Sequence, residues 1–214
     1  MLDLYTWGTP NGHKVHIMLE ECHAQYRIHP VNIGNQESID SLIASLTINK
    51  KIPVLVDNAA AAKQGPLVIS ESGAILIYLA EKHQQFWANE PTARYQTMQW
   101  LMFQMSAIGP MMGQCNHFKS RQQSDDGYAL ARLSAEVARI HAVMEQHLRN
   151  NAYFAGSDYS IADMAIFPWL RLSQKLGVAW SAHARLHHWY EHIAMRPAVQ
   201  RALHLPNLSL KATT

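Results

Sequence analysis

The sequence predicts an α+β fold in two parts, a sheet-and-helix domain over residues 1–84 and an all-helical domain over residues 92–205. Three observations carry that reading. Strand and helix periods alternate as far as His83, and beyond it the strand signals stop. Between the two parts "QQFWANEP" holds neither period and reads as a linker.

The elements follow in order. "LDLYTW" alternates apolar and polar residues as a half-buried strand does. From Asn11 to about Glu21, Val15, Met18 and Leu19 recur at helical spacing, with Asn11 as a suitable N-cap. "YRIHPVNI" reads as a second strand, which Pro30 confines to an edge or a bulge. Ser38 to Leu46 reads as a short helix. "IPVLVD" and "LVIS" have hairpin length, and Gly65 and Pro66 between them mark a turn. "ESGAILIYLAEKH" begins a helix near Ser70 or Glu71. The order βαβ then ββα implies strands of mixed direction. In the second part "TARYQTMQWLMFQMSAIGPMM", "DGYALARLSAEVARIHAVMEQHLRN" and "SIADMAIFPWLRLSQKLG" are long periodic segments, with a kink expected at Pro168 and a loose tail after Leu205.

Composition excludes several classes of function. A chain of 214 residues with 48% hydrophobic and 16% charged residues is an ordinary globular sequence. Its formal net charge of +2 and lack of Lys/Arg runs argue against nucleic-acid binding. No apolar run reaches the roughly 18–20 residues that cross a bilayer. The start lacks a charged segment followed by an apolar one, so no signal peptide is expected, and a reducing cytoplasm is the expected setting. His13 with His16, and His188 with His192, have spacings that can meet on a helix face, but no Cys or carboxylate partner is evident and no metal site is expected. Cys22 and Cys115 form neither a Cys-x-x-Cys nor a zinc pattern.

Four short features stand in one order: "TPNG" closes the first strand, "KIPVLVD" opens the third, "ESGAILIYLAEK" begins the third helix, and "YSIADMAIFPW" follows in the helical part. Together they resemble the cytosolic glutathione transferases, which join a thioredoxin-like N-terminal domain to an all-helical C-terminal one, and the resemblance covers nearly the whole chain. "TPNGHK" with "GPMMGQ" looks closest to the bacterial nu class, whose members act as glutathione-dependent disulfide-bond reductases. It is also similar to a yeast nitrogen-regulator branch with the same Pro-Asn-Gly turn. The resemblance implies a homodimer with glutathione as cosubstrate and a small disulfide or electrophile as second substrate. Conjugation to electrophiles and a non-catalytic regulator on the same scaffold are the alternatives.

Residue by residue, Ile52-Pro53 corresponds to the family's cis-proline, which turns the Ile52 backbone toward an extended peptide. Read by itself, Pro53 simply begins an edge strand. Glu71 and Ser72 stand at a helix start, where the dipole and unpaired N–H groups attract a carboxylate and Glu71 can pair with an ammonium; the γ-glutamyl end of glutathione carries both. Ordinary capping by Ser70 accounts for the same spacing. In thiol-handling folds the strand-to-helix turn at "TPNGHK" usually carries a reactive cysteine, and here it has none. The resemblance gives the thiol to glutathione and makes Thr9 and Asn11 the groups that hold it as a thiolate, with Tyr5 a decoy. Arg132 matches a nu-class arginine that reaches glutathione from the neighbouring subunit, or is a solvated helix arginine. Cys115 either faces a cleft or is a buried inert thiol. Ser160 and Asp163 form a capping box with Tyr159 and Met164 as a staple, a folding element and not part of the site. "TIN" at Thr47–Asn49 departs from the family's usual Ser-Pro-Asn, and the glutamine that meets the glycyl end is replaced, with Gln36 or Ser38 nearby.

Overall fold

A computed structural model describes residues 1–62, 65–121 and 126–207. Its contacts divide the chain into two compact units: Met1–Gln85 with the segment from Arg196 on, and Phe86–Met195.

The first unit runs β1 (Leu2–Thr6), α1 (Pro10–Glu21), β2 (Tyr26–Pro30), α2 (Gln36–Leu42), β3 (Val54–Ala62), β4 (Gly65–Ser70) and α3 (Ser72–His83). The sheet order is β2-β1-β3-β4. β1 pairs parallel with β2, which requires a crossover such as α1, and antiparallel with β3. β2 is therefore an edge strand, and it stops at Pro30. Every residue of α1 from Gly12 to Leu19 is buried, because the helix is covered on more than one side. It packs on α3 and on the helix that follows the second unit, Pro197–Leu203.

Local chemistry moved several boundaries. Asn35 accepts from the Glu37 N–H, so α2 begins at Gln36 and ends at Leu42. Gly65 and Pro66 open β4 instead of forming the turn, and residues 63–64 of the expected connection lie outside the described residues.

The second unit contains α4 (Pro91–Phe103), α5 (Gly109–Arg121), α6 (Gly127–His147), α7 (Ile161–Leu170) and α8 (Ala184–Ala194); the final helix, Pro197–Leu203, is α9. The segment expected as one helix through "GPMM" is split by a π-helical turn, Gln104–Ile108. Pro110 explains the slip, since its ring has no N–H to give and crowds the carbonyl four residues back. α7 carries Pro168 within it and ends at Leu170, short of the expected Gly177. Its start is the expected capping box. Asp163 accepts from the N–H groups of Phe154 and Ser160, the Ser160 hydroxyl and the Trp189 indole, and burial pushes its pKa up to about 6 against those four donors. Among the described residues no helix is long and apolar enough to cross a membrane.

Candidate active site

The site begins where β1 ends. Thr9, in extended conformation, is the N-cap of α1, and its Oγ accepts from the Gly12 N–H at 3.2 Å. The cap is thus Thr9 and not Asn11. Pro10 decides this, because its fixed φ and missing N–H suit the first helical position. The Thr9 hydroxyl accepts through a lone pair and keeps its own hydrogen for donation. Gly12 is required by space: a Cβ there would lie 2.2 Å from the Trp7 carbonyl oxygen.

Asn11 is left in the first turn of α1, where it lines a cleft of about 230 Å³ with Ile52, Pro53, Glu71 and Ser72. Asn49, Lys51 and Ser70 complete its wall. The Ile52-Pro53 peptide is cis and stands immediately before β3. Glu71 takes the N-cap position of α3, which the alternative reading gave to Ser70, and Ser70 is the last residue of β4. Glu71 is in the left-handed region, φ 71° and ψ 115°, and its side chain makes no capping hydrogen bond. Its carboxylate is exposed instead. Such a conformation costs a non-glycine residue on the order of 1–3 kcal/mol.

Ser72 is buried, and its Oγ accepts from Lys14 Nζ at 3.2 Å. Lys14 is only 1% exposed. Burial brings its pKa down to about 7, while the charge of Glu71 pulls the other way. Sequence reasoning missed Lys14, Lys51 and the polar wall at Asn49 and Ser70. For Lys14 the one available signal was a charged residue inside a segment whose neighbours on both sides are apolar or aromatic.

The remaining expected residues lie elsewhere. Tyr5 stacks on His29, ring centroids 4.4 Å apart, and packs on the cluster of Val31, Ile43 and Val54 beside Ile39 and Leu42 of α2. Arg132 belongs to the second unit, exposed on α6, where it lines a groove of about 540 Å³ with Met111, Leu133 and Arg139. Cys115 is fully buried, Sγ 3.8 Å from Ser134 Oγ. Cys22 caps the end of α1, where burial and then the Glu21 charge push its thiol up to about 11. Neither cysteine lines the cleft. Among the described residues no group of three His, Cys, Asp or Glu is placed to hold a metal ion.

Chemically, the cleft offers an exposed carboxylate and a helix N-terminus side by side, which suits an amino-acid head group with its ammonium on Glu71 and its carboxylate at Ser72. The backbone before β3 suits an extended peptide. The first turn of α1, with Asn11, suits an anion.

Residues 1–81 match the family model described as glutathione S-transferase, N-terminal domain, and residues 110–197 the one described as glutathione S-transferase, C-terminal domain. The chain is 38% identical over 203 residues to the disulfide-bond oxidoreductase YfcG of Escherichia coli (strain K12), covering 95% of this chain and 94% of that protein. A glutathione transferase from Pseudomonas putida, solved with one glutathione disulfide bound per subunit, is 39% identical with a TM-score of 0.89, over 96% of this chain and 91% of that one. A glutathione transferase family member from Pseudomonas fluorescens pf-5, solved with two glutathione bound, is 38% identical with a TM-score of 0.86, over 94% and 92% of the two chains.

Proposed function

The chain belongs to the glutathione S-transferase family, and from that premise we propose that it is a glutathione-dependent disulfide reductase of nu-like type. One observation carries the reading: Asn11, Ile52, Pro53, Glu71 and Ser72 line a single cleft in the first unit. Glu71 receives the γ-glutamyl ammonium and Ser72 with the α3 N-terminus receives its carboxylate. The Ile52 backbone pairs with the cysteinyl unit. Asn49 and Lys51 stand on the same wall and suit the glycyl carboxylate, which Gln36 and Ser38 do not line the cleft to meet.

That arrangement brings the thiol to the first turn of α1. A free thiol titrates near 8.5 and only the thiolate attacks sulfur. Lowering the value by two units takes about 2.7 kcal/mol of preferential interaction with the anion. The α1 N-terminus, the Thr9 hydroxyl hydrogen and the Asn11 amide N–H together are sufficient, since hydrogen bonds to charged groups are worth roughly 1.5–3 kcal/mol each. In the net reaction two glutathiones reduce one disulfide to two thiols and leave as glutathione disulfide. The protein supplies binding, orientation and a lowered thiol pKa, so neither of its own cysteines takes part.

The YfcG relative is a disulfide-bond oxidoreductase by name, and the P. putida relative was solved with glutathione disulfide, both of which support reduction over conjugation. A cytoplasmic homodimer, with Arg132 of one copy reaching the glutathione of the other, accounts for an arginine exposed beside Met111 and Arg139 on the groove of the second unit. The deciding experiment measures glutathione-dependent turnover of a small disulfide against conjugation of an aromatic halide. Faster disulfide turnover is expected. A faster halide rate would make the chain a conjugating transferase, and no turnover of either would make it a binding protein.

A further inference from the structure

A lysine with 1% of its surface exposed is expensive, because a buried ammonium gives up hydration that apolar neighbours do not replace. Lys14 occupies such a position in α1 and extends to α3, where Nζ donates to Ser72 Oγ at 3.2 Å. Ser72 is the first residue of α3 and lines the cleft. A hydroxyl that accepts from an ammonium is polarised to donate its own hydrogen more strongly, and it turns that hydrogen away from the ammonium. The cation therefore stands one hydrogen bond behind the surface that is suited to a carboxylate.

We propose that Lys14 is a positioning residue for the γ-glutamyl carboxylate of glutathione, acting through the Ser72 hydroxyl. The inference rests on the cleft being the glutathione site. A carboxylate laid on Ser72 meets a strengthened O–H donor, the N-terminal end of α3 and a buried positive charge aligned behind both. Glu71, the charged group that faces Lys14 from α3, is then engaged by the ligand's ammonium, and the ligand's carboxylate adds a second counter-charge to the lysine. Arg196, which caps α9, and Arg201 on it are held by Glu21 and Glu20 at the far end of α1. On α1 itself His13 lies next to Lys14, and His16 is held neutral by burial, its Nε2 3.0 Å from Thr6 Oγ1.

A linkage follows. Burial keeps the Lys14 pKa near 7 without ligand, and a carboxylate arriving at Ser72 raises it. Binding near pH 8 therefore takes up a proton at this lysine.

The test uses S-methylglutathione, whose sulfur does not titrate, and its analogue with 4-aminobutyryl in place of γ-glutamyl, which lacks only that carboxylate. Calorimetry on the full-length parent and on Lys14→Met gives four affinities, arranged as a double-mutant cycle. S-methylglutathione should bind Lys14→Met at least tenfold more weakly, and the analogue less than twofold more weakly. Melting of the unliganded parent and variant shows that Lys14→Met is folded before the affinities are compared. Equal losses on both ligands, or no loss on either, would show that Lys14 only fills space. Proton uptake, read at pH 8 from buffers of different ionisation enthalpy, should occur in the parent and vanish in the variant. This measurement holds even if Lys14→Met does not fold, because absent uptake in the parent overturns the proposal without any variant. A parent that binds neither ligand removes the glutathione site itself, and that failure is seen before any substitution is made.

Discussion

Arg196 closes on Glu21 with two parallel N–H···O bonds, Nε to Oε1 at 2.6 Å and Nη2 to Oε2 at 2.9 Å. The pair ties the residue that caps α9 to the last residue of α1, and the Glu21 side chain is only 8% exposed. Arg196→Lys keeps the charge and loses the fork, so a cost of about 1–2 kcal/mol is expected. At this chain length that lowers Tm by about 2–4 °C per kcal/mol. Thermal denaturation followed by circular dichroism measures it. An unchanged Tm would mean that the charge alone suffices and the fork adds nothing.

Glu71 sits at φ 71°, which glycine adopts freely and glutamate does not. Glu71→Gly should therefore raise Tm by one to a few degrees, corresponding to about 1 kcal/mol of relieved strain. The same substitution removes the carboxylate assigned to the ligand's ammonium, so the glutathione-induced rise in Tm should disappear. Stability gained together with binding lost is the signature of strain held for function. A variant that melts lower than the parent, or keeps its glutathione shift, contradicts one half of this or the other.

The pH dependence of stability has a clear source in Asp57. Burial raises its pKa, but the Lys82 ammonium at 2.6 Å, the Tyr78 hydroxyl at 2.6 Å and the Ala59 N–H outweigh that and hold it down to about 2. A carboxyl depressed in the folded state gives stability that is present above the unfolded value near 4 and is lost as pH falls toward 2. The difference in unfolding free energy between parent and Asp57→Asn should shrink by about 2 kcal/mol from pH 5 to pH 2. Urea titrations at pH 5, 4, 3 and 2 read the trend. A constant difference would place the worth of Asp57 in packing, with no part for its charge.

Much of the cleft was legible because its residues mark the ends of elements. Pro53 stands before a strand and Ser72 after one, and a proline or a serine at such a boundary leaves a local trace. Thr9 and Asn11 are both good caps, so spacing did not separate them, and Pro10 between them made the choice. The positive φ of Glu71 left no trace, since it is imposed by the junction of β4 with α3 and glutamate has no preference for it. Lys14 left only a weak trace for a related reason: in a helical pattern a lysine counts as polar, and its burial depends on what packs against α1. The packing of α9 on α1 joins residues 175 positions apart at Arg196 and Glu21, and nothing local encodes it.

Neither cysteine is needed if the reacting sulfur arrives with glutathione. Cys115 is fully buried against Ser134, and the Cys22 thiol is pushed up to about 11, so both are poor nucleophiles at neutral pH. Cys22→Ser with Cys115→Ala should keep disulfide reductase activity within a few-fold of the parent, measured as glutathione disulfide formed per folded molecule. A hundredfold loss with circular dichroism unchanged would identify a protein thiol in the reaction.

The sharpest division among the proposed site residues is between Asn11 and Tyr5. Asn11 lines the cleft in the first turn of α1, where an anion meets the helix N-terminus. Tyr5 lies on β1 with its ring on His29 and on the cluster under α2, and it does not line the cleft. If the Asn11 amide N–H holds the thiolate, Asn11→Ala should raise the pKa of the bound glutathione thiol by about one unit, or about 1.4 kcal/mol. Only the anion gains from that contact, so the loss of affinity should be small below the thiol's pKa in the complex and complete above its free value near 8.5. Tyr5→Phe should leave the titration where it is. Thiolate absorbance of the bound glutathione against pH, recorded for the parent and both variants, reads the pKa directly. A shift in Tyr5→Phe with none in Asn11→Ala would reduce Thr9-Pro10-Asn11-Gly12 to a turn and give the thiolate to the tyrosine.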